Sequence, residues 1–169
     1  MSRHVTIEPL ARTAFAPFGQ VLDTDGDERF TINAGMTERI HALGEIEIAG
    51  QGGKPILSIF RGQPYTLPLT LKMVERHPLG SQAFMPLSDR EFLVIVCPDE
   101  GGVPGRPRAF LTAPHQGVNL KRNVWHGVLT ALDAPSDFLI ADRGGPGDNL
   151  EEYHFDDPYV IEAPEGKAS

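Results

Sequence analysis

Three residues in this chain combine the right chemistry with a suggestive spacing. They are Glu75 and His77, in Glu75-Arg76-His77-Pro78-Leu79-Gly80-Ser81-Gln82, and His126, at the end of Asn123-Val124-Trp125-His126. Leu67, Leu69, Leu71 and Met73 occupy every second position just before Glu75. Successive strand side chains point to opposite faces, so these four are expected to line one face, which Glu75 and His77 would continue. The intervening series, Thr66, Pro68, Thr70, Lys72, Val74 and Arg76, is more polar, as in a half-buried strand. An imidazole titrates near neutral pH and also ligates metals. One carboxylate with two histidines suits both proton transfer and a divalent cation. Spacing alone does not bring His126 to His77.

The elements that must position these groups are expected to be strands. The chain has 169 residues, the size of one domain, and its 40% hydrophobic content can fill one sizeable core. A net charge of −8 argues against nonspecific nucleic-acid binding. The single cysteine, Cys97, cannot form an internal disulfide and fits a reducing cytoplasm. Its neighbours Phe92 to Val96 place it in the core. The N-terminus lacks the long apolar region of a signal peptide, and no apolar run is long enough for a membrane span.

Val5-Thr6-Ile7 reads as a first strand, and Thr13 to Phe18 as one helical turn with Thr13 as N-cap and Gly19 closing it. Phe30 to Ile32 is a strand turned by Asn33-Ala34-Gly35. Gly50 to Gly53 reads as a turn, because no helical pattern follows to make it a phosphate loop. Further strands are expected at Pro55 to Arg61, Gln82 to Leu87, Glu91 to Cys97, Arg108 to Thr112, Gly117 to Leu120, Trp125 to Ala131 and Asp137 to Asp142. Glu91 to Cys97 is apolar on both faces and so central. From about Asp148 the chain is an acidic tail, with Tyr153, Phe155 and Tyr159 docking on the body and the last few residues mobile. Short strands with turn signals every eight to twelve residues or so indicate a mainly β sandwich or barrel. No linker divides the chain, so residues 1–169 read as a single domain.

The two stretches resemble the two cupin motifs. Glu75 and His77 stand where that pattern has two histidines, Gln82 stands near its glutamate, and His126 takes the place of its last histidine. A closer resemblance is to the ureidoglycolate lyase family of allantoin degradation. It rests on Phe30-Thr31-Ile32-Asn33-Ala34-Gly35, Arg61-Gly62-Gln63-Pro64, Glu75 through Phe84, Gly117-Val118-Asn119, Arg122-Asn123-Val124-Trp125-His126 and Asp142-Arg143-Gly144-Gly145, in family order. The resemblance implies a cupin-like (RmlC-like) β-barrel, or double-stranded β-helix, that forms homodimers. It also implies cleavage of (S)-ureidoglycolate to glyoxylate and urea. Some members of the family are associated with a divalent metal, nickel included. Here such an ion would fall to Glu75, His77, Gln82 and His126, and the residues themselves make no cofactor certain.

That reaction needs a base for the hydroxyl proton and an acid at the departing urea nitrogen, tasks for Glu75, His77 and His126. The substrate carboxylate calls for an arginine fork. Arg61, Arg76, Arg122 and Arg143 are candidates, with Arg61 ranked first and Arg76 last because its alternation points it away from the apolar face. The amides of Asn33, Gln82 and Asn119 are candidates for the ureido or hydroxyl group. Trp125 is read as packing, and His4, His41, His115 and His154 as surface or loop histidines. The competing readings are an amidohydrolase that releases ammonia and a non-catalytic cupin that binds a small carboxylate. The expected partners are a small-molecule substrate and a second copy of the chain, with neither nucleic acid nor membrane.

Overall fold

The computed structural model describes residues 2–164. Short alternating stretches become strands: β1 (His4–Val5), β2 (Ile7–Pro9), β3 (Gly19–Leu22), β4 (Arg29–Ile32), β5 (Thr37–Ile40), β6 (Lys54–Gly62), β7 (Leu69–Arg76) and β8 (Gln82–Pro86). The series continues with β9 (Phe92–Cys97), β10 (Arg108–Leu111), β11 (Gly117–Leu120), β12 (Trp125–His126), β13 (Thr130–Ala131), β14 (Ser136–Gly144) and β15 (Glu151–Ile161). One sheet runs β1-β15-β7-β12-β9-β10-β2, with β13 also paired to β9, and the second runs β3-β11-β8-β14-β6. β4 and β5 form a separate hairpin.

The two large sheets enclose the main core, giving the expected cupin-like barrel. Phe92, Val94 and Val96 of β9 face Phe84, Val118, Leu120, Phe138 and Ile140 of the second sheet. The alternate residues Leu93, Ile95 and Cys97 build a second core on the outer face of the first sheet, with Val74, Trp125, Tyr159 and Ile161. β9 is therefore buried on both faces, as its unbroken apolar run requires.

Four expectations are corrected here. The stretch from Glu151 is an eleven-residue strand, antiparallel to β7 and parallel to β1, inside the sheet. Its residues Glu151, Glu152, Asp156 and Asp157 are exposed, while Tyr153, Phe155 and Tyr159 stack edge to face on the second core. The final residues, 165–169, lie outside the described range. The helical turn is Arg12–Phe15 and starts from Ala11, with no side-chain cap. Burial of Phe15 against Phe110 holds it, rather than a Thr13 cap. Trp125 to Ala131 is two short strands, interrupted where Gly127 packs against Ile95. Finally, Leu67 to His77 does not keep one face. Leu71 and Val74 both enter the outer core, so the alternation flips between them, beside the register shift in β15 between His154 and Tyr159. Leu67, Leu69 and Leu71 thus pack outside the barrel, while Glu75 faces in. No helix among the described residues is long and apolar enough to cross a membrane.

Candidate active site

β12 lies between β7 and β9 and sets His126 directly across from Glu75 on one side and Val96 on the other. Cross-strand partners share a face, and Val96 belongs to the interior core, so His126 and Glu75 both point into the barrel. His77 follows β7 immediately, and its carbonyl accepts the Asn123 N–H at 2.9 Å. That bond ties together the two stretches that sequence spacing could not join. The His77 and His126 rings lie 5.2 Å apart, centre to centre, and His77 Nε2 is 3.9 Å from Glu75 Oε1. One ligand atom from each of Glu75, His77 and His126 falls within 4.8 Å of the others.

Both imidazoles are fixed by backbone. His126 Nδ1 lies 2.8 Å from the Gly127 carbonyl, and His77 Nδ1 lies 2.8 Å from the Asn149 carbonyl. A carbonyl only accepts, so each Nδ1 carries the proton, and in the neutral ring Nε2 presents a lone pair. Asn149 also accepts the Leu79 N–H through Oδ1, which holds the bend after His77. Complete burial pushes the His126 pKa down to about 4, aided by nearby His77, so this ring is neutral at physiological pH. Burial raises the Glu75 carboxyl, opposed by His77 and reinforced by Glu152. Among the described residues His77 Nε2, His126 Nε2 and Gln82 Oε1 have no hydrogen-bond partner. Two tethered imidazoles with free Nε2 atoms beside a carboxylate fit a divalent cation, and the tethers are the outer bonds that orient metal-ligating histidines.

Gln82 is inside with this group. It precedes Phe84 on the inward face of β8 and donates from Nε2 to Asp142 Oδ2 at 3.1 Å. Four other expected substrate-binding residues stand apart from this group. Arg61 pairs across from Asp137, on the opposite face from inward Phe60 and Phe138, and forks onto the Asp137 carboxylate at 2.7 and 2.9 Å. It points out of the barrel because β6 alternates with Phe60 inside. Asn119 lies between inward Val118 and Leu120, so its amide faces outward and donates to Gln20 and to the Glu45 carbonyl. Arg143 also faces outward, and its guanidinium donates to the carbonyls of Ala49, Gly145 and Pro146, stapling two loops. Asn33 sits at the tip of the β4–β5 hairpin at φ 55°, donating to Thr37 Oγ1.

Arg76 points away from the interior as expected. It pairs with Glu151 and Asp99 and stacks 4.2 Å over Trp125, whose indole N–H also reaches Asp99. Arg122 lies in the turn before β12, where its backbone N–H is held by Glu47. Its guanidinium is exposed and makes no hydrogen bond among the described residues. Two supports escaped the sequence reading: Asn149, which orients His77, and Asp142, which orients Gln82. Asp142 stands in the Asp142-Arg143-Gly144-Gly145 motif but was given no role, and Asn149 lay in the stretch read as a tail.

The ureidoglycolate lyase family model matches residues 2–162. A ureidoglycolate lyase of Chelativorans sp. is 60% identical over 163 residues, covering 96% of this chain and 99% of the relative. Those of Mesorhizobium japonicum and Agrobacterium fabrum are 58% and 56% identical, covering 95% and 97% of this chain and 98% and 99% of theirs. Among solved structures, a dTDP sugar isomerase from Desulfovibrio desulfuricans is 18% identical, with a TM-score of 0.38 over 83% of each chain. Matched by that family model over nearly its whole length, with relatives above half identity, the chain belongs to the ureidoglycolate lyase family.

Proposed function

We propose that this protein cleaves ureidoglycolate to glyoxylate and urea. The observation that carries the reading is the convergence of Glu75, His77 and His126 inside the barrel of a chain that belongs to this family. The hydroxyl proton leaves as the carbonyl of glyoxylate forms. The C–N bond breaks with its electron pair going to the urea nitrogen, which takes up a proton. Neutral His126 offers an acceptor at Nε2, and Glu75, its pKa raised by burial, is suited to exchange a proton. His77 stands 3.9 Å from Glu75 and tunes it.

A divalent cation, nickel or similar, would be held by Glu75, His77 and His126, with Gln82 Oε1 as a further oxygen donor. When bound it would supply Lewis-acid polarisation of a substrate oxygen. Arg122 takes the role first given to Arg61, that of gripping the substrate carboxylate. Its guanidinium is uncommitted, and the next residue, Asn123, is bonded to His77.

The homodimer reading is supported by edge strand β6, where Leu57, Ile59 and neighbouring Leu139 of β14 are exposed apolar residues on one face. A cytoplasmic location is supported by the single free thiol at Cys97. Light scattering at micromolar concentration tests the dimer. For the activity, freshly made ureidoglycolate is incubated with the protein, and glyoxylate, urea and ammonia are measured separately against spontaneous decay. Equal yields of glyoxylate and urea support the lyase. Ammonia in place of urea means an amidohydrolase, and no product above background means a binding protein.

A further inference from the structure

The unpaired buried atoms at the barrel's polar end are all acceptors. With the imidazoles neutral they are His77 Nε2, His126 Nε2, Gln82 Oε1 and Asp142 Oδ1. A cation facing the histidines satisfies their Nε2 atoms but leaves the Asp142 oxygen. Asp142 lies on β14 two residues after Ile140, on the same inward face. Its Oδ2 already accepts the Gln82 Nε2–H. Because a carboxylate only accepts, the Gln82 amide must turn its nitrogen to Asp142 and its oxygen away. The two side chains thus present two unpaired oxygens, Gln82 Oε1 and Asp142 Oδ1, beside the second N–H of the Gln82 amide. Leu120, directly opposite Gln82 in β11, and Phe84, two residues on from Gln82, line the same cavity as His126. The acceptor pair therefore belongs to the same interior as the reacting groups.

We propose that Asp142 determines specificity at this site by accepting an N–H of the ureido group through Oδ1, with Gln82 as its oriented companion. A buried acceptor left unpaired is costly, so the site favours a ligand rich in N–H groups and rejects one that offers oxygen there. The ureido part of the substrate, and the urea that departs, carry such donors, while glyoxylate carries none. The inference rests on the lyase reading and deepens it.

Asp142→Asn is the discriminating variant. An amide at this position keeps an oxygen for the Gln82 Nε2–H and turns its own N–H2 toward the ligand, so a donor meets a donor. Expected are an inhibition constant for urea about tenfold or more higher than in wild type and a fall in kcat/KM for ureidoglycolate. Inhibition by glyoxylate should change by less than about threefold. Asp142→Ser, whose shorter side chain withdraws the acceptor, is measured alongside in case the amide does not fold, and it should also weaken urea selectively. Unchanged urea inhibition in a folded variant overturns the proposal, as does equal weakening of urea and glyoxylate, which marks a purely structural role. Wild type that forms no glyoxylate and urea instead overturns the lyase reading on which the proposal depends.

Discussion

His126 stands directly across from Glu75 in the antiparallel pairing of β12 with β7, and burial moves the two groups in opposite directions. The imidazole is held neutral, its pKa at about 4, and the carboxyl is raised. In both cases the cause is the same, because desolvation disfavours the charged form. The site thereby places a neutral acceptor beside an acid that gives up its proton less readily than usual.

The depressed His126 pKa makes stability depend on pH. Between about 4 and about 6.5 the unfolded chain holds a proton on this ring that the folded chain does not. Stability rises with pH where the unfolded state binds more protons, so this contribution is present above pH 6.5 or so and is lost as pH falls toward about 4. Its full size is about 3 kcal/mol. Glu75 acts in the opposite sense, favouring the folded state at low pH and losing that contribution as pH rises through its raised pKa. Denaturant unfolding of chelator-dialysed protein from pH 7 to pH 4 should show the loss, and His126→Gln should flatten it. An equally steep profile in the variant would show that other groups titrate there.

His126→Ala and Glu75→Ala should each lower turnover by roughly 10²–10⁴-fold, the usual effect of removing a general acid or base. Steady-state kinetics on variants with wild-type circular dichroism check this. Near-wild-type turnover in both would take the proton chemistry away from this pair.

Arg122→Ala should raise KM with little change in kcat. The substrate carboxylate keeps its charge through C–N cleavage, so its grip is equal in ground and transition states. Arg61→Ala should leave KM within about twofold, because its guanidinium is committed to Asp137 on the outer face. The reverse result, with Arg61 controlling KM and Arg122 silent, would restore the assignment first drawn from sequence.

Much of the fold was legible because burial writes itself into residue type. The run Phe92 to Cys97 announced a strand covered on both sides, and Trp125 was rightly read as packing. β15 was not legible as a strand, since Glu151, Glu152, Asp156 and Asp157 make it look like a solvated tail, although they occupy only its exposed positions. Within the site, Glu75, His77 and Gln82 came from motif resemblance, because the alternation that set Glu75 and His77 on one face with Leu67, Leu69 and Leu71 breaks between Leu71 and Val74. The facing of Arg61, Asn119 and Arg143 depended on the phase of their strands, and a phase slip of one residue reverses every side chain. Their apolar neighbours Phe60, Val118, Leu120 and Ile140 already held the answer. Asp142 was missed because a lone aspartate in a strand looks like surface until its neighbours are known.

A divalent cation should bind this protein and stabilise it. A ligand that binds only the folded state raises stability by RT ln(1 + [L]/Kd), about 2.7 kcal/mol at one hundred times Kd. Exhaustively chelated protein should therefore melt at a lower temperature than protein with added nickel or a similar ion. The unpaired Nε2 atoms of His77 and His126 are where such an ion is expected to act. His77→Ala leaves one imidazole and one carboxylate, too few to hold the ion tightly, so added metal should shift its melting temperature far less than it shifts wild type. Arg61→Ala, remote from the cluster, should respond as wild type does. Calorimetric titration of the chelated protein gives a second readout that is independent of turnover, and one ion per chain is expected. No metal-dependent melting shift and no binding heat in wild type would mean that the three side chains work without an ion, leaving proton transfer by Glu75 and His126 to carry the chemistry alone.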